Sequence, residues 1–185
     1  MKKDRKETDL WVYVLLLTTL LILAKSLTSY TFKIMNVDLP FTLFILPLVF
    51  FIIDIIAKKF DYKKSVAAIA ISSVVFISFC FIVAYAIDGD YILKSLMGEF
   101  CAYIVAAFTN LTIYMFLLNN TESPRLLVVI NYMFTLVVYY MIYTMIHLNM
   151  IIFDEYWLGY FITLAIQLFI SIGLSMIDKG VNRGQ

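Results

Sequence analysis

The sequence predicts an all-α membrane protein of about six transmembrane helices, with the N-terminus and the C-terminus both in the cytoplasm. Hydrophobic residues make up 63% of the 185 residues and charged residues 15%, whereas soluble domains have about 45–50% and about 25%. The apolar residues form runs of about 20, the length that crosses the hydrocarbon core of a bilayer. Six such runs and their connections fill the chain, so residues 1–185 are predicted to form a single polytopic domain.

The first three spans are bounded by charged and turn-forming segments. Residues 1–6 are basic and precede an apolar run that is too long for a signal-peptide core and has no small-residue cleavage site, so we interpret it as a retained helix. The second span opens after Asp38-Leu39-Pro40 and closes at the basic segment 58–64, and the third closes at the turn 88–90. The first three predicted spans are 10–29, 41–57 and 66–87.

The last three spans are also bounded by polar, turn-forming or basic segments. The polar segment 119–124 ends with Pro124 and separates the fourth span from the fifth. Residues 149–156 form the next connection, and Lys179 follows the sixth span. The last three predicted spans are 96–118, 126–148 and 157–177.

The distribution of basic residues predicts the orientation. With the N-terminus inside, eleven of the 14 Lys and Arg residues fall on inner segments, and only Lys25, Lys33 and Lys94 fall on or near the outer side. Cytoplasmic loops of membrane proteins carry this excess of Lys and Arg. We therefore predict a multi-pass protein of the cell (inner) membrane with both ends cytoplasmic.

Polar residues inside the spans are the candidates for function, because a polar group that faces lipid is costly. On the fourth span, Tyr103 and Asn110 share one helical face, and on the fifth Asn131 and Thr135 are one turn apart. Amides can both donate and accept hydrogen bonds, which suits a small, planar, heteroatom-rich ligand better than an ion. The predicted substrate-binding residues are Asp54, Tyr103, Asn110, Asn131, Thr135 and Gln167.

Several of these residues also have simpler interpretations, which remain open at this stage. Asp54 stands four residues before Lys58, as in an ion pair that reaches the cytoplasmic surface. Asn110 could serve as an interhelical contact alone, and Glu99 lies close enough to the outer end of its span to be solvated. The residues assigned as a gate or coupling site are Lys33, Lys58 and Glu99.

No enzymatic or cofactor motif accompanies these residues. The chain has a single His and no HExxH, GxSxG or phosphate-binding loop, which argues against an enzyme. Cys80 and Cys101 stand inside apolar runs without a CxxC pattern, so neither a metal site nor another cofactor is predicted. A net charge of +1 without a basic aromatic patch gives no reason to expect nucleic acid as a partner.

The segment 46–64 resembles a signature of the queuosine-precursor transporter family, also called the vitamin-uptake-transporter-like family. That signature is a Pro-started apolar helix, a Thr-Asp pair, an aromatic-Gly step and a basic cluster. Ile53 stands where the family has the Thr, and Asp61 stands where it has the Gly. The matching positions are Pro47, Asp54, Phe60, Lys63 and Lys64.

The resemblance extends over about residues 28–177 and includes the segments 102–110, 131–135 and 164–172. Lys33 is similar to a Lys that follows the family's first span. Three positions that are often charged in the family are neutral here, namely Asn110, Phe134 and Gln167. If charges of opposite sign are lost together, the interior stays electrically balanced. The fold can then survive, because a buried ion pair is often replaceable.

The resemblance implies import of 7-deazaguanine bases, the precursors of the modified tRNA nucleoside queuosine. The implied partners are a small-molecule substrate and the lipid bilayer, with a homo-oligomer or an energising subunit left open. Two alternatives stand beside this expectation. One is the substrate-capture subunit of an energy-coupling-factor-type vitamin transporter, and the other is a degenerate, non-transporting membrane interaction protein.

Overall fold

A computed structural model describes residues 2–28, 30–87, 90–120, 124–147 and 153–182. Within these ranges the chain forms six α-helices and one β-hairpin. The prediction of a helical protein with six helices is therefore confirmed. The elements are α1 (Lys2–Leu27), β1 (Thr31–Ile34), β2 (Val37–Pro40), α2 (Thr42–Phe60), α3 (Tyr62–Ile87), α4 (Asp90–Asn120), α5 (Pro124–His147) and α6 (Phe153–Asn182).

The helices are longer than most of the predicted spans. Helix α1 begins at Lys2 rather than at residue 10, and α6 runs to Asn182 rather than to residue 177. Hydropathy marks only the apolar part of a helix, whereas backbone hydrogen bonding continues through polar ends. The predicted turns at 88–90 and 119–124 lie partly outside the described residues. Arg183, one of the predicted inner basic residues, lies wholly outside them.

Three helices in the described part of the chain are long and apolar enough to cross a membrane: Thr8–Leu27, Tyr62–Ala86 and Met97–Leu118. Two shorter apolar segments, Val128–Tyr143 and Phe161–Met176, lie within α5 and α6. Large apolar side chains point outward on α1, α3 and α6; Leu15, Tyr85 and Phe169 are 69%, 93% and 75% exposed. Such broad apolar exposure is typical of a surface that meets lipid rather than water.

Helix α2 forms the centre of the bundle. Twelve of its 19 residues are buried, and it contacts each of the other five helices. It contains Pro47, which is buried, and Pro leaves one helical carbonyl without its usual N–H partner. Asp54, the buried candidate site residue on α2, therefore lies on a helix with neighbours on several sides.

The connection between α1 and α2 is a β-hairpin that the sequence analysis did not predict. Strands β1 and β2 pair antiparallel, with Ile34 opposite Val37. The two turn residues between them, Met35 and Asn36, have φ values of 51° and 63°. Two consecutive positive φ values define the type I′ turn, whose twist matches that of the flanking strands. We call the end of the bundle that carries this hairpin the hairpin end.

The opposite end of α2 turns into α3 through one residue, Asp61. Its φ of 112° and ψ of 170° lie in a region that is nearly restricted to glycine. The Asp61 carboxylate accepts a hydrogen bond from the backbone N–H of Lys64 at 2.9 Å, which caps the start of α3. We call this the Asp61 end of the bundle.

Candidate functional site

Four of the six predicted binding residues meet in one hydrogen-bonded cluster, which we call the polar network: Asp54, Asn110, Asn131 and Thr135. Asn110 Nδ2 donates to Asp54 Oδ1 at 2.6 Å, and Asn131 Nδ2 donates to both carboxylate oxygens at 3.3 Å. Asn131 Nδ2 and Thr135 Oγ1 also donate to Asn110 Oδ1, at 2.8 and 3.2 Å. The network therefore joins α2, α4 and α5.

Helix periodicity places these side chains. Asn131 and Thr135 are one turn apart on α5, so both reach the same amide oxygen on α4. Ala102 and Ala106 lie on the face of α4 that carries Asn110, and both are completely buried. Small residues at this spacing allow a neighbouring helix to approach closely. The network therefore lies where α4 packs closely against neighbouring helices.

The network surrounds a deeply buried carboxyl group. Asp54 is 3% exposed, and Asn110, Asn131 and Thr135 are completely buried. Removing a carboxylate from water is costly unless donors replace the lost hydration. The two amides supply those donors, and the 2.6 Å contact from Asn110 has the short length of a charge-assisted hydrogen bond. Asp54 is thus held inside the bundle by directed hydrogen bonds.

Gln167, the fifth predicted residue, donates its hydrogen bond to a residue outside the polar network. Its Nε2 donates to the hydroxyl oxygen of Tyr140 at 2.9 Å, which links α6 to α5. Two buried amide oxygens, Gln167 Oε1 and Asn131 Oδ1, have no hydrogen-bond partner within the part of the chain that the structure describes. These oxygens are acceptors available to the N–H groups of a ligand.

A second polar site lies at the hairpin end, where Lys25 Nζ is 2.7 Å from Glu99 Oε1. The pair links α1 to α4, and the two side chains are only 19% and 8% exposed. Two small adjoining cavities, of about 20 and 50 Å³, surround Glu99, and we call them together the hairpin-end cavity. Its lining residues are Leu21, Ala24, Lys25, Thr28, Pro40, Thr42, Leu46, Phe76, Glu99, Tyr103, Tyr139, Tyr140 and Tyr143.

Tyr103, the sixth predicted residue, and Tyr139 lie between the two sites. Tyr103 is 2% exposed, its hydroxyl is 3.3 Å from that of Ser72, and its ring packs edge-on against Phe76. Tyr139 follows Thr135 by one turn and lines the hairpin-end cavity. Along α4, Glu99 and Asn110 are eleven residues apart, or about 16 Å. The cavity and the polar network are therefore separate sites that share the same helices.

The three predicted gate residues have different surroundings. Lys33 is exposed on β1 and lies 3.9 Å from Asp38 across the hairpin, so it contributes to neither buried site. Lys58 is half-buried one turn after Asp54. Glu99 is buried at 6% exposure, and the alternative that it is solvated is wrong.

Lys25 and Tyr140 are the site residues that the sequence analysis missed. Lys25 was counted only as a basic residue at the outer edge of the first span. A Lys within an apolar span needs a polar partner, however, and Glu99 stands at a similar depth in the fourth span. That pairing was accessible from the sequence. The contact between Tyr140 and Gln167 depends on how α5 and α6 rotate against each other, which spacing within one helix does not determine.

Comparison with protein-family models, with curated proteins and with solved structures finds no match to this chain. The resemblance to queuosine-precursor transporters therefore stays a prediction that rests on the motif positions. Two of those positions have a defined structural role here: Asp54 is the carboxyl group of the polar network, and Asp61 has a φ of 112° where the family signature has Gly.

Proposed function

We propose that this chain is a membrane importer of a small, planar, hydrogen-bonding base of the 7-deazaguanine type, a queuosine precursor. The observation that carries the proposal is the polar network, which brings a carboxyl group and two amides from three helices into the bundle interior. Polar groups buried inside a helical membrane bundle commonly mark substrate pathways. The network lies on α2, α4 and α5, the helices that carry most of the motif resemblance.

The chemistry of the interior suits the edges of such a base. Asn131 Oδ1 and Gln167 Oε1 are buried acceptors for ring N–H groups, and the Asp54 carboxyl group can accept a further N–H. Asn110 supplies both a donor and an acceptor. In this proposal Asn110, Asn131 and Gln167 bind the base edges, and Tyr103 or Tyr139 stacks on the ring. Asp54 accepts a ring N–H or gates the exit at the Asp61 end.

The two cavities around Glu99 are too small for such a base in this conformation. A cavity of about 20 Å³ holds one water molecule, and one of about 50 Å³ holds a few, whereas a bicyclic base needs more room. Passage of the base through this end of the bundle therefore requires the helices to part. Rocking of helix groups around a central site is the usual form of alternating access. The Lys25–Glu99 ion pair, which joins α1 to α4, is a contact that such a movement would break.

The proposal includes a topology in which all six helices cross the inner membrane and both termini are cytoplasmic. Its support is the basic cluster at the Asp61 end, formed by Lys58, Lys59, Lys63 and Lys64, and the excess of Lys and Arg on the predicted inner segments. Helix α2 has 19 residues, of which 16, residues 42–57, precede this basic cluster. They measure about 24 Å, so α2 is a short span for a hydrocarbon core of about 30 Å.

Uptake of labelled base tests the proposal. Cells unable to make queuosine precursors are given labelled queuine or its biosynthetic precursors, with the chain expressed or with an empty vector. We expect uptake above the vector control, a large loss in Asn131→Ala, and unchanged uptake in Thr112→Ala, which alters an exposed residue that hydrogen-bonds only within its own helix. Uptake equal to the vector control for every base, with the protein present in the membrane, would contradict the proposal.

One observation favours a second candidate, a non-transporting membrane interaction protein. The amide nitrogens of Asn110 and Asn131 are satisfied by residues of the chain itself, as in a purely structural network. Thermal unfolding of the purified protein in detergent separates the two candidates, because a ligand that binds the folded state raises its stability on saturation. Stabilisation by a queuosine precursor supports the importer. Its absence over the whole concentration range supports the structural candidate.

A further inference from the structure

We propose that the hairpin-end cavity is a binding site for the ammonium group of a small organic cation, and that the Lys25 ammonium occupies the cation position in the present structure. This inference goes beyond the proposed function, since it concerns the Glu99 carboxylate, about 16 Å along α4 from Asn110, although the cavity shares Tyr103 and Tyr139 with the proposed base site. The geometry that supports it is a buried carboxylate with an internal ammonium at 2.7 Å, next to a cavity with a tyrosine wall.

The two members of the ion pair differ in how easily they can move. The Glu99 side chain is 8% exposed, so the surrounding protein fixes it in place. The Lys25 side chain is 19% exposed and lies in the last turn of α1. A lysine has a long, flexible stem that can carry its ammonium towards a nearby surface. Glu99 is therefore the stationary part of the site, and Lys25 is the part that a ligand can replace.

Charge balance determines the kind of ligand. If Lys25 moves away, the Glu99 carboxylate loses the ammonium that balances its charge, and removing one member of a buried ion pair is strongly unfavourable. An incoming cation restores the balance, whereas a neutral molecule does not and an anion makes the imbalance worse. The site should therefore accept a positively charged group and reject neutral molecules of the same shape.

The wall of the cavity favours an ammonium over a bare metal ion. Tyr139, Tyr140 and Tyr143 all line it, with Tyr139 stacked on Tyr143 and perpendicular to Tyr140. Aromatic rings attract organic cations through their quadrupoles. Metal ions such as Ca²⁺ need six or more oxygen ligands, drawn mainly from carboxylates, carbonyls and water. This wall has one carboxylate, and its other side-chain oxygens are hydroxyls of threonine and tyrosine.

The cavity also has hydroxyl groups and a position near the surface. Thr28 Oγ1 and Thr42 Oγ1 are 3.1 Å apart and both line the cavity, so their oxygens can accept N–H groups. Thr28, Pro40 and Tyr143 are only half-buried, which puts the cavity close to the surface at the hairpin end. A volume of about 50 Å³ suits a head group of a few heavy atoms.

Thermal unfolding of the full chain in detergent tests the inference, with ethylammonium chloride as the probe. Sodium chloride at the same ionic strength, ethanol and sodium acetate serve as the cationic, neutral and anionic comparisons. We expect ethylammonium to raise the Tm in a saturable way, by roughly 3 °C at saturation. The three comparison compounds should give no saturable rise. A rise with all salts, or with ethanol, would overturn the inference.

Two variants locate the binding. Glu99→Gln should abolish the response, whereas Asp38→Asn, which makes the same change at the exposed Lys33–Asp38 pair, should leave it intact. A response that persists in Glu99→Gln would place the cation elsewhere and contradict the inference. Tyr143→Leu retains both charges and should weaken the apparent affinity at least fivefold, so the test still holds if Glu99→Gln does not fold. Uptake of a labelled base plays no part in this readout, so either proposal can fail without the other.

Discussion

At the scale of single residues, Asn110 has the largest role in the polar network. Its amide nitrogen donates to Asp54, and its amide oxygen accepts from both Asn131 and Thr135. It is completely buried, so no water can replace these contacts. Removing one partner from a buried charged hydrogen bond leaves the other without compensation, which costs more than the bond itself contributes.

We therefore predict that Asn110→Leu lowers the free energy of unfolding by about 3 kcal/mol, because the Asp54 carboxylate loses the 2.6 Å hydrogen bond from Asn110. Adding Asp54→Leu to this variant should restore a large part of the loss, since the buried charge is then removed as well. Denaturant unfolding in detergent, followed by circular dichroism, measures the cycle. Thr112→Leu on the exposed face of α4 is the control. Additive losses in the double variant would show that the two residues are not coupled.

The Lys25–Glu99 and Lys33–Asp38 pairs offer a matched comparison. Lys25→Met leaves Glu99 buried without its ammonium, and we predict a loss of about 3 kcal/mol in the free energy of unfolding. Lys33→Met removes the same charge from an exposed pair at 3.9 Å and should change stability by less than about 0.5 kcal/mol. Thermal unfolding of both variants checks the difference. Equal losses would mean that burial of the Lys25–Glu99 pair has no energetic consequence.

Most of the candidate site, but not all of its contacts, could be predicted from the polar residues inside the spans. Asp54, Asn110, Asn131 and Thr135 were selected because polar groups in a span must face protein, and the structure brings all four together. Gln167 was selected by the same rule but contacts Tyr140 instead. The rule predicts that a residue points inward but not which helix it meets, because the rotation of one helix against another depends on packing along its whole length.

At the scale of elements, the turn between α2 and α3 shows a local conflict. Asp61 caps α3 with its carboxylate, yet its φ of 112° suits glycine rather than an amino acid with a Cβ atom. The cap stabilises the helix start by about 1 kcal/mol, whereas the backbone conformation costs about 1–3 kcal/mol. The two effects are close in size and opposite in sign.

This balance predicts different outcomes for two substitutions. Asp61→Gly loses the cap but relieves the backbone, so its stability should equal that of the parent chain or exceed it by up to about 1 kcal/mol. Asp61→Ala loses the cap and keeps the strained backbone, and it should be about 1 kcal/mol less stable. Thermal unfolding in detergent ranks the three proteins. Asp61→Ala at least as stable as Asp61→Gly would contradict this explanation.

The hairpin marks the limit of what the sequence predicted at this scale. Its strands are four residues each, and its turn is Met35-Asn36 rather than the Asn-Gly pair typical of a type I′ turn. The hairpin is held partly by contacts outside its own strands, since Phe32 packs on Phe41 and Phe44, and β2 packs against α6 with Val37 beside Gly159. Hydropathy over long windows detects the helices but not so short an element.

At the scale of the whole molecule, the proposed topology places the hairpin and the α2–α3 turn on opposite sides of the membrane. We predict that Thr31→Cys on β1 reacts with a membrane-impermeant maleimide in intact cells. Lys63→Cys in α3 should react only after the membrane is opened. Both positions are exposed, so reactivity reports the side of the membrane rather than burial. The native cysteines are first replaced, by Cys80→Ala and Cys101→Ser. Labelling of both positions in intact cells, or the reverse pattern, would contradict the topology.

The central position of α2 has a consequence for the biogenesis of the protein. A charged residue within a span opposes insertion from the translocon, by about 2.5–3.5 kcal/mol where it stands at the centre. Helix α2 carries Asp54 in its second half, together with Lys58 and Lys59. The two amides that donate to Asp54, those of Asn110 and Asn131, are synthesised 56 and 77 residues later. At about 5–20 residues per second, the ribosome makes them several seconds after α2 has emerged. In the proposed topology α2 enters the bilayer before α4 and α5, so α1 and α3 are its first helical neighbours.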